Sequence, residues 1–437
     1  MNLRIIAPIF FIIIFSAMII PIVIAQEEPS IYSAPVLVSV SGNGQYIVAG
    51  SEQGEINFFD KTGTLLWAYP TGKRITDVSM SRNGDFIVVA GVGPIDASNG
   101  SVYCFNPHGD LLWQSDPAMG IQEARISSDG TTIIATGYTG PSEANEPVMY
   151  SLDQTGNTRW KILKMTGGIS GVALSDDGNT IVIGTWGGGG SRDRYDGSVR
   201  LFAGNGTMLW KYGTKSWVIG VDISRDGSTI AAIDRDAVYF LNWDGNLLGN
   251  YSSRYQTRSV AISADGNFVA AGSQYKVYYF NRSGRLLWDL TDSGYVYSVA
   301  LSDDGRSVLA GTAPAGKNPK NGTVYSLNGT GTIFWSYPIR GAARSVSTSG
   351  SGDVNVVGLW GTGEEKDPSI YVSDQDGKEK KIILNTGYYL SPQARPTPGP
   401  SLSQTQQTTT SQPVPLPMTV IFFALILAGC AFTIMKK

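Results

Sequence analysis

A polar turn of the form Ser-x-Asx-Gly occurs eight times along this chain of 437 residues. The glycines that close the turns are Gly44, Gly84, Gly130, Gly178, Gly227, Gly266, Gly305 and Gly352. Seven copies have Asp or Asn before the glycine, and the last copy has Ser351. Neighbouring copies are 39 to 49 residues apart, and each interval contains several short alternating stretches. A repeat of this length with several strands per unit is typical of a β-propeller.

The seventh unit shows how one repeat divides into strands. It contains four short alternating segments separated by turn residues, at Ser298–Ser302, Ser307–Thr312, Gly322–Leu327 and Thr332–Tyr337. Four strands with turn chemistry between them form one propeller blade. The sequence therefore predicts an all-β, eight-bladed β-propeller of four-stranded antiparallel blades, which occupies residues 31–390.

A second turn in each unit supports this frame. Its closing glycine is followed four residues later by tryptophan in six units, at Trp67, Trp113, Trp160, Trp210, Trp288 and Trp335. Gly249 and Lys381 stand at this place in the other two units. Because a large flat ring fills the space between two stacked sheets, we expect these tryptophans to pack between neighbouring blades.

These repeats resemble known propeller families. The segment from Asp60 to Trp67 resembles repeats of pyrroloquinoline-quinone-dehydrogenase-like propellers, a group that includes non-enzymatic eight-bladed members. The Ser-x-Asp-Gly turn resembles WD-repeat propellers, although the Gly-His and Trp-Asp dipeptides of that family are missing. The resemblance implies the fold and, for the non-enzymatic branch, a binding role.

The N-terminal 25 residues are predicted to be a signal peptide. Arg4 precedes an apolar run over residues 9–20, and Ala25 is a small residue before Gln26. This order of charge, apolar core and small residue is typical of secretory signals. An uncleaved N-terminal anchor is the alternative, disfavoured by Pro8 and Pro21.

The C-terminal end contains a second predicted membrane signal. Residues 418–435 are uncharged and mostly apolar, just long enough for a transmembrane helix, and two lysines follow them. Residues 391–417 are rich in Pro, Thr and Ser and are predicted to be an extended stalk. A cleaved lipid-anchor signal is disfavoured because the chain ends in lysines. We therefore expect a single-pass cell-membrane protein whose propeller faces the extracytoplasmic side.

Cysteine content and sequons bear on this location. The two cysteines, Cys104 in a predicted strand and Cys430 in the predicted membrane span, cannot pair within one molecule. Six Asn-x-Ser/Thr sequons are candidate glycosylation sites, at Asn99, Asn205, Asn250, Asn281, Asn321 and Asn328. Asn-Gly is also a favoured hairpin turn, so the turn interpretation stays open at these sites.

The residues needed for several kinds of catalysis are missing. His108 is the only histidine, which excludes histidine triads and multi-histidine metal sites. The adjacent disulfide that quinone dehydrogenases typically have is absent, because the chain has no Cys-Cys pair. The acid pairs Asp234/Asp236, Asp193/Asp196 and Glu364/Glu365 lack the spacing of a calcium loop. We therefore predict no catalytic residue, no metal and no cofactor. The net charge of −3 also gives no support to nucleic-acid binding.

One face of the predicted propeller receives all the long insertions. They lie between second and third strands, at residues 91–100, 137–147, 187–197, 313–322 and 361–368. In a four-stranded blade these loops and the blade-to-blade connections emerge on the same face, here named the loop face. The opposite face, named the turn face, contains the eight Ser-x-Asx-Gly turns. Long loops gathered on a rigid scaffold commonly form a binding site, although drift in unconstrained loops is the alternative.

Aromatic and arginine side chains are predicted at the mouth of the loop face. Trp186 and Trp360 end the second strands of units four and eight. The blade connections add Arg74, Trp217, Arg258, Tyr297 and Arg344. Rings and arginines around a funnel suit a sugar or an anionic polymer, through stacking and charge-assisted hydrogen bonds. Mouth packing is the alternative for each residue taken alone.

The function predicted from these features is a non-catalytic binding or scaffold module at the cell surface. Its partner would be a protein or an envelope polysaccharide, bound on the loop face. A polysaccharide hydrolase or lyase with carboxylates in the loops is one alternative. A receptor or sensor ectodomain is another, although Lys436 and Lys437 alone would remain in the cytoplasm.

Overall fold

The computed structural model describes residues 36–93, 99–117, 119–139, 146–187, 196–314, 321–360 and 370–382. Within these ranges every regular element is a β-strand, and all strands pair antiparallel in named sheets. The protein is therefore an all-β propeller, as its repeats predict.

Five four-stranded sheets come first along the chain, each made of consecutive strands. The first sheet contains β1 (Val36–Val40), β2 (Tyr46–Ser51), β3 (Glu55–Asp60) and β4 (Leu65–Pro70). The second contains β5 (Arg74–Met80), β6 (Ile87–Val92), β7 (Gly100–Phe105) and β8 (Leu111–Ser115). The third contains β9 (Gly120–Ile126), β10 (Thr132–Thr139), β11 (Glu146–Asp153) and β12 (Thr158–Ile162). The fourth contains β13 (Gly168–Leu174), β14 (Thr180–Trp186), β15 (Gly197–Ala203) and β16 (Met208–Thr214). The fifth contains β17 (Val218–Ile223), β18 (Thr229–Asp234), β19 (Ala237–Asn242) and β20 (Leu247–Ser252).

The next sheet has six strands, and the final sheet has four. The six-stranded sheet contains β21 (Thr257–Ile262), β22 (Phe268–Asn281), β23 (Leu286–Leu301), β24 (Ser307–Pro314), β25 (Asn321–Asn328) and β26 (Ile333–Arg340). The last sheet contains β27 (Ala342–Thr348), β28 (Val354–Trp360), β29 (Ile370–Asp374) and β30 (Glu379–Ile382).

The six-stranded sheet departs from the prediction that units six and seven form separate four-stranded sheets. Its long strands change partner halfway: in β22, Val269 pairs with Ile262 of β21, whereas Val277 pairs with Leu290 of β23. Tyr275 lies between these two stretches with a φ of 76°, the left-handed conformation used by tight hairpin turns. Connections this short let neighbouring strands run on into one another.

The hydrophobic core is divided among the interfaces between successive sheets. The second strands are buried almost throughout, as in Ile87–Val92, because neighbouring sheets cover both of their faces. One cluster packs Val36 and Ile47 of the first sheet against Val356 and Ile370 of the last sheet. The last sheet therefore packs against the first, and the array is closed.

The first strand of each repeat is innermost. Each contacts the first strand of the next repeat, and β1 contacts β27 at the closure. Polar side chains on these strands accept hydrogen bonds from the next repeat's backbone: Ser345 Oγ accepts from Val38 N at 3.2 Å, and Ser347 Oγ accepts from Val40 N at 3.0 Å. These bonds join the two ends of the propeller across 307 residues of chain.

The eight predicted turns are all present on the turn face. In each, the glycine N–H donates to the serine carbonyl at 2.8–3.0 Å, and the glycine has a φ that favours glycine, as at Gly44 with 68°. One backbone hydrogen bond of 2.8–3.2 Å then links each turn to the next, and the circuit closes from Gly350 N to Gly42 O.

Side chains from four of these turns also form ion pairs across the ring. Arg82 Nη2 lies 2.5 Å from Asp303 Oδ2, although the two residues are 221 positions apart. Arg225 Nη2 contacts the other oxygen of Asp303, and its Nε lies 3.5 Å from Asp176. Since these residues come from non-adjacent repeats, their side chains meet over the axis and close the turn-face end of the central channel.

The tryptophan at the outer strand packs as predicted. Trp67 stacks on Phe58 at 4.9 Å, and its indole Nε1 donates to Pro107 O of the next repeat at 3.0 Å. The other five tryptophans make the same bond to the corresponding carbonyl of the following repeat, at 2.7–3.2 Å. Where Gly249 replaces tryptophan, the next repeat moves in, and a Cβ there would lie 2.2 Å from Ser283 O.

The predicted signal peptide (1–25), stalk (391–417) and transmembrane helix (418–435) lie outside the described residues. The described part of the chain contains no helix that is long and apolar enough to cross a membrane.

Candidate functional site

An extra residue interrupts the first strand of most repeats at the loop face. In β21 the pairing jumps from Thr257 to Ser259, so Arg258 has no partner in the ladder. Tyr297 in β23 and Arg344 in β27 are bypassed in the same way. Such β-bulges re-aim a side chain away from the regular alternation of the strand. Three consecutive repeats therefore present their bulge residues at one place.

These bulge residues form a continuous stack with two further aromatic rings. The guanidinium of Arg258 lies 4.7 Å from the ring centre of Tyr295 and 5.0 Å from that of Tyr297. The guanidinium of Arg344 lies 4.9 Å from Tyr297 and 5.3 Å from Trp360. We name Arg258, Tyr295, Tyr297, Arg344 and Trp360 the arginine–aromatic cluster. Each contact is within the range of a cation–π interaction.

The row of rings continues beyond the cluster. Tyr275 stacks on Tyr295 at 6.2 Å, and Tyr255 meets Tyr275 edge-on at 5.3 Å. The side chain of Gln274 donates to the hydroxyls of Tyr275 and Tyr295 at 2.9 and 3.3 Å. Sequence analysis missed these three tyrosines. Their signal was a tyrosine in each successive connection or tight turn of units five to seven.

The two arginines of the cluster have no acidic partner among the described residues. Other arginines do: Arg74 is 3.7 Å from Glu52, and Arg82 is paired with Asp303. The Nε atom of Arg258 is buried and has no hydrogen-bond partner in the described structure. Since a buried donor without a partner costs free energy, this atom favours an acceptor supplied from outside.

Trp186 and Trp217 form a second, separate aromatic pair on the loop face. Their ring centres are 6.1 Å apart, and the two side chains are 44% and 43% exposed. Gly168 makes room for this arrangement, because a Cβ there would lie 2.1 Å from the Trp186 ring. The pair is a flat, solvent-facing surface of the kind that stacks on sugar rings.

The structure thus brings six of the seven predicted binding residues into two groups. Arg258, Tyr297, Arg344 and Trp360 join the cluster, and Trp186 joins Trp217. Arg74 belongs to neither group among the described contacts, since its nearest described charge is Glu52.

Charged side chains also line the central channel below the loop face. Arg125 Nε lies 3.1 Å from Asp77 Oδ2, and Glu123 accepts a hydrogen bond from Val172 N at 3.0 Å. Asp222 accepts from Ile262 N at 2.9 Å. All four groups stand on first strands of units two, three and five, so they face one another across the axis.

Burial dominates the protonation of these channel acids. It raises the pKa of Glu123 to about 7, against the attraction of Arg125, and the pKa of Asp222 to about 6. Burial also raises the pKa of Asp77, even though its ion pair with Arg125 acts in the opposite direction. Conversely, Asp77 first and Glu123 second raise the pKa of Arg125, which stays charged. Sequence analysis missed this group, although each acid occupies an alternating inward position before a Ser-x-Asx-Gly turn.

The acidic pairs weighed as cation ligands have other partners or lie elsewhere. Asp234 accepts from the backbone N–H groups of Asp236 and Ala237 and from the hydroxyl of Tyr239, so it stabilises a hairpin. Asp193 and the pair Glu364/Glu365 lie outside the described residues. No group of three or more His, Cys, Asp or Glu side chains in the described ranges is arranged to hold a metal ion.

All six sequons lie within the described residues. Asn99, Asn205, Asn250 and Asn321 are exposed. Asn281 and Asn328 are half-buried, and their side-chain oxygens accept backbone N–H groups of Arg285 and Thr332 at 2.9 Å. These two asparagines therefore shape turns, as the alternative interpretation predicts.

Comparison with known proteins agrees with this architecture. Two overlapping segments, residues 98–249 and 195–378, match a family model described as outer membrane protein assembly factor BamB. No curated protein matches the chain. Among solved structures, the β-propeller domain of Cps50 (Swd1) from Myceliophteria thermophila is 14% identical, with a TM-score of 0.50. That match covers 64% of this chain and 92% of the domain, and it shows the fold alone.

Proposed function

Because the chain belongs to the family described as outer membrane protein assembly factor BamB, we propose that it is a non-catalytic, surface-anchored propeller that binds its partner on the loop face. The partner is an envelope polysaccharide or a protein. The observation that carries this proposal is the arginine–aromatic cluster, where two guanidinium groups lie between three rings without an acidic partner among the described residues.

We propose eight blades for this propeller. Eight turns joined in one circuit of backbone hydrogen bonds support this count, as do the first strands that contact one another around the ring. The six-stranded sheet is then two blades joined by the continuous strands β22 and β23, in which the pairing partner changes at Tyr275 and near Gly294.

The location proposed for the protein rests on its sequence. Residues 1–25 have the order of features of a signal peptide, and residues 418–435 have the length and polarity of a membrane span. The stalk of residues 391–417 would hold the propeller outside the cytoplasm, where the exposed sequons would be available for glycosylation.

A pull-down of isolated cell-envelope material with the full-length chain tests the binding role. The variant Trp186→Ala/Trp360→Ala removes one exposed ring from each aromatic group of the loop face. We expect it to bind at least about tenfold more weakly, since each stacked ring contributes about 1 kcal/mol or more. The matched control is Trp243→Ala/Phe334→Ala, because these rings are 48% and 52% exposed away from the loop face.

Equal binding by both double variants would refute the loop face as the binding site. Absence of any envelope ligand for the folded wild-type chain would refute the binding role itself.

A further inference from the structure

Resting on the proposed binding role, we propose that the ligand of the loop face is an acidic polysaccharide, whose sugar carboxylates are bound by Arg258 and Arg344. Both arginines are bulge residues of neighbouring repeats, and Tyr297 lies between them. The proposal rests on the geometry of the guanidinium groups, on their missing counter-charges and on the rings around them.

The stacking of each guanidinium fixes which of its sides can bind a ligand. Arg258 has aromatic rings at 4.7 and 5.0 Å, and Arg344 has rings at 4.9 and 5.3 Å. A guanidinium whose flat faces are covered in this way keeps its N–H edge free. That edge presents parallel donors whose spacing matches the two oxygens of a carboxylate.

The charges of the described residues leave these two arginines uncompensated. Every described ion pair of an arginine uses a different residue: Arg74, Arg82, Arg125, Arg225 or Arg306. The protein as a whole has a net charge of −3, so a positive site on the loop face contrasts with the overall charge. The unpartnered Nε of Arg258 is one donor that an incoming carboxylate oxygen would satisfy.

The surrounding rings favour a polysaccharide over a simple anion. Trp360 is 41% exposed beside Arg344, and the tyrosine row leads away from Arg258 through Tyr295 and Tyr275. The Trp186/Trp217 pair adds a further stacking surface on the same face. A small anion would use the guanidinium groups and leave these surfaces empty, whereas a chain of sugar rings uses both.

Polygalacturonate and its fully methyl-esterified form are matched probes, because they differ only in the charge of the carboxyl group. Binding to the immobilised full-length chain is measured at low and high salt for wild type, Arg258→Gln and Arg344→Gln. We expect the acid polymer to bind at least tenfold more tightly than the ester. Each substitution should weaken the acid polymer about tenfold or more and leave the ester unchanged.

Two further variants separate recognition from general charge and from misfolding. Arg258→Lys keeps the charge but loses the planar fork, and we expect it to bind almost as weakly as Arg258→Gln. Arg306→Gln removes an 86% exposed arginine on the turn face and should bind like wild type. Thermal unfolding of every variant shows whether the fold is retained.

The outcomes distinguish this inference from the binding role. Equal binding of acid and ester, or equal displacement by poly-glutamate, would overturn the inference while loop-face binding of envelope material still stands. The inference also falls if wild type binds envelope material but neither polymer. Both proposals fall if the folded protein binds no envelope material and no polymer.

Discussion

Replacing Glu123 by Gln is expected to stabilise the propeller at pH 8 and to have little effect at pH 5. Glu123 lies in the central channel, where burial raises the pKa of its carboxyl to about 7. Arg125 lowers that pKa and Asp77 raises it, but burial is the largest cause. The substitution keeps a side-chain oxygen that can accept from Val172 N, so the bond of 3.0 Å can be retained.

The direction follows from proton linkage. The pKa of Glu123 is higher in the folded state than the ordinary value of 4.5, so between these two values the folded state binds more protons than the unfolded state. Stability from this group is therefore fully present below about pH 4.5 and is lost as the pH rises through about 7. The carboxylates with lowered pKa values, such as Asp129 and Asp265, lose their contribution at lower pH and do not interfere in this window.

The magnitude is set by the interval between 4.5 and about 7. At about 1.4 kcal/mol per pH unit this interval is worth about 3 kcal/mol when the carboxyl is fully desolvated. Water in the channel reduces the effect, and we expect a gain of about 1–2 kcal/mol at pH 8. For a domain of this size that gain raises Tm by about 2–3 °C.

Thermal unfolding of wild type and Glu123→Gln from pH 5 to pH 8 provides the measurement, with the difference between the two proteins as the readout. Glu52→Gln is the matched control, because Glu52 is a surface carboxylate paired with Arg74 at 3.7 Å. It should change stability by less than about 1 kcal/mol at either pH. A Glu123→Gln variant less stable than wild type at pH 8, or an equal difference at pH 5 and pH 8, would refute the reasoning.

Two further substitutions test the ring itself. Asp303→Asn removes the charge shared by Arg82 and Arg225, and because the three groups are partly exposed we expect a loss of about 2 kcal/mol, or about 3 °C in Tm, at low salt. An unchanged Tm at low salt would show that the ion pairs contribute nothing. Trp67→Ala removes the stacked ring that bonds to the next repeat and should cost about 3 kcal/mol, whereas its neighbour Leu66, 48% exposed, should tolerate Ala with less than about 1 kcal/mol lost. Equal losses in the two variants, measured by thermal unfolding, would contradict packing between blades.

The fold could be predicted because its signals are local. Each Ser-x-Asx-Gly turn forms within five residues, and each aromatic ring after the second turn packs against the next repeat. The merging of units six and seven into one sheet could not be predicted in the same way. It depends on how strands continue through very short connections, such as the one at Tyr275.

The binding site could be predicted only in part. Arg258, Tyr297 and Arg344 occupy one repeat position, five residues before the serine of the turn, so aligning the repeats finds them together. That their side chains stack depends on a β-bulge, which the sequence does not display. Arg74 was grouped with them by its place in a connection, but its pairing with Glu52 depends on a contact between two other strands' ends.

The turn face was described in the sequence only as a set of tight turns, yet it determines how a ligand can approach. The second residue of each turn varies freely in sequence, as Arg82, Asp176, Arg225 and Asp303 do. In the structure these residues meet over the axis and join non-adjacent repeats by ion pairs. Because this end of the channel is closed by described side chains, a polymer cannot pass through the ring from that side. It must lie across the loop face, where the arginine–aromatic cluster and the Trp186/Trp217 pair present their rings.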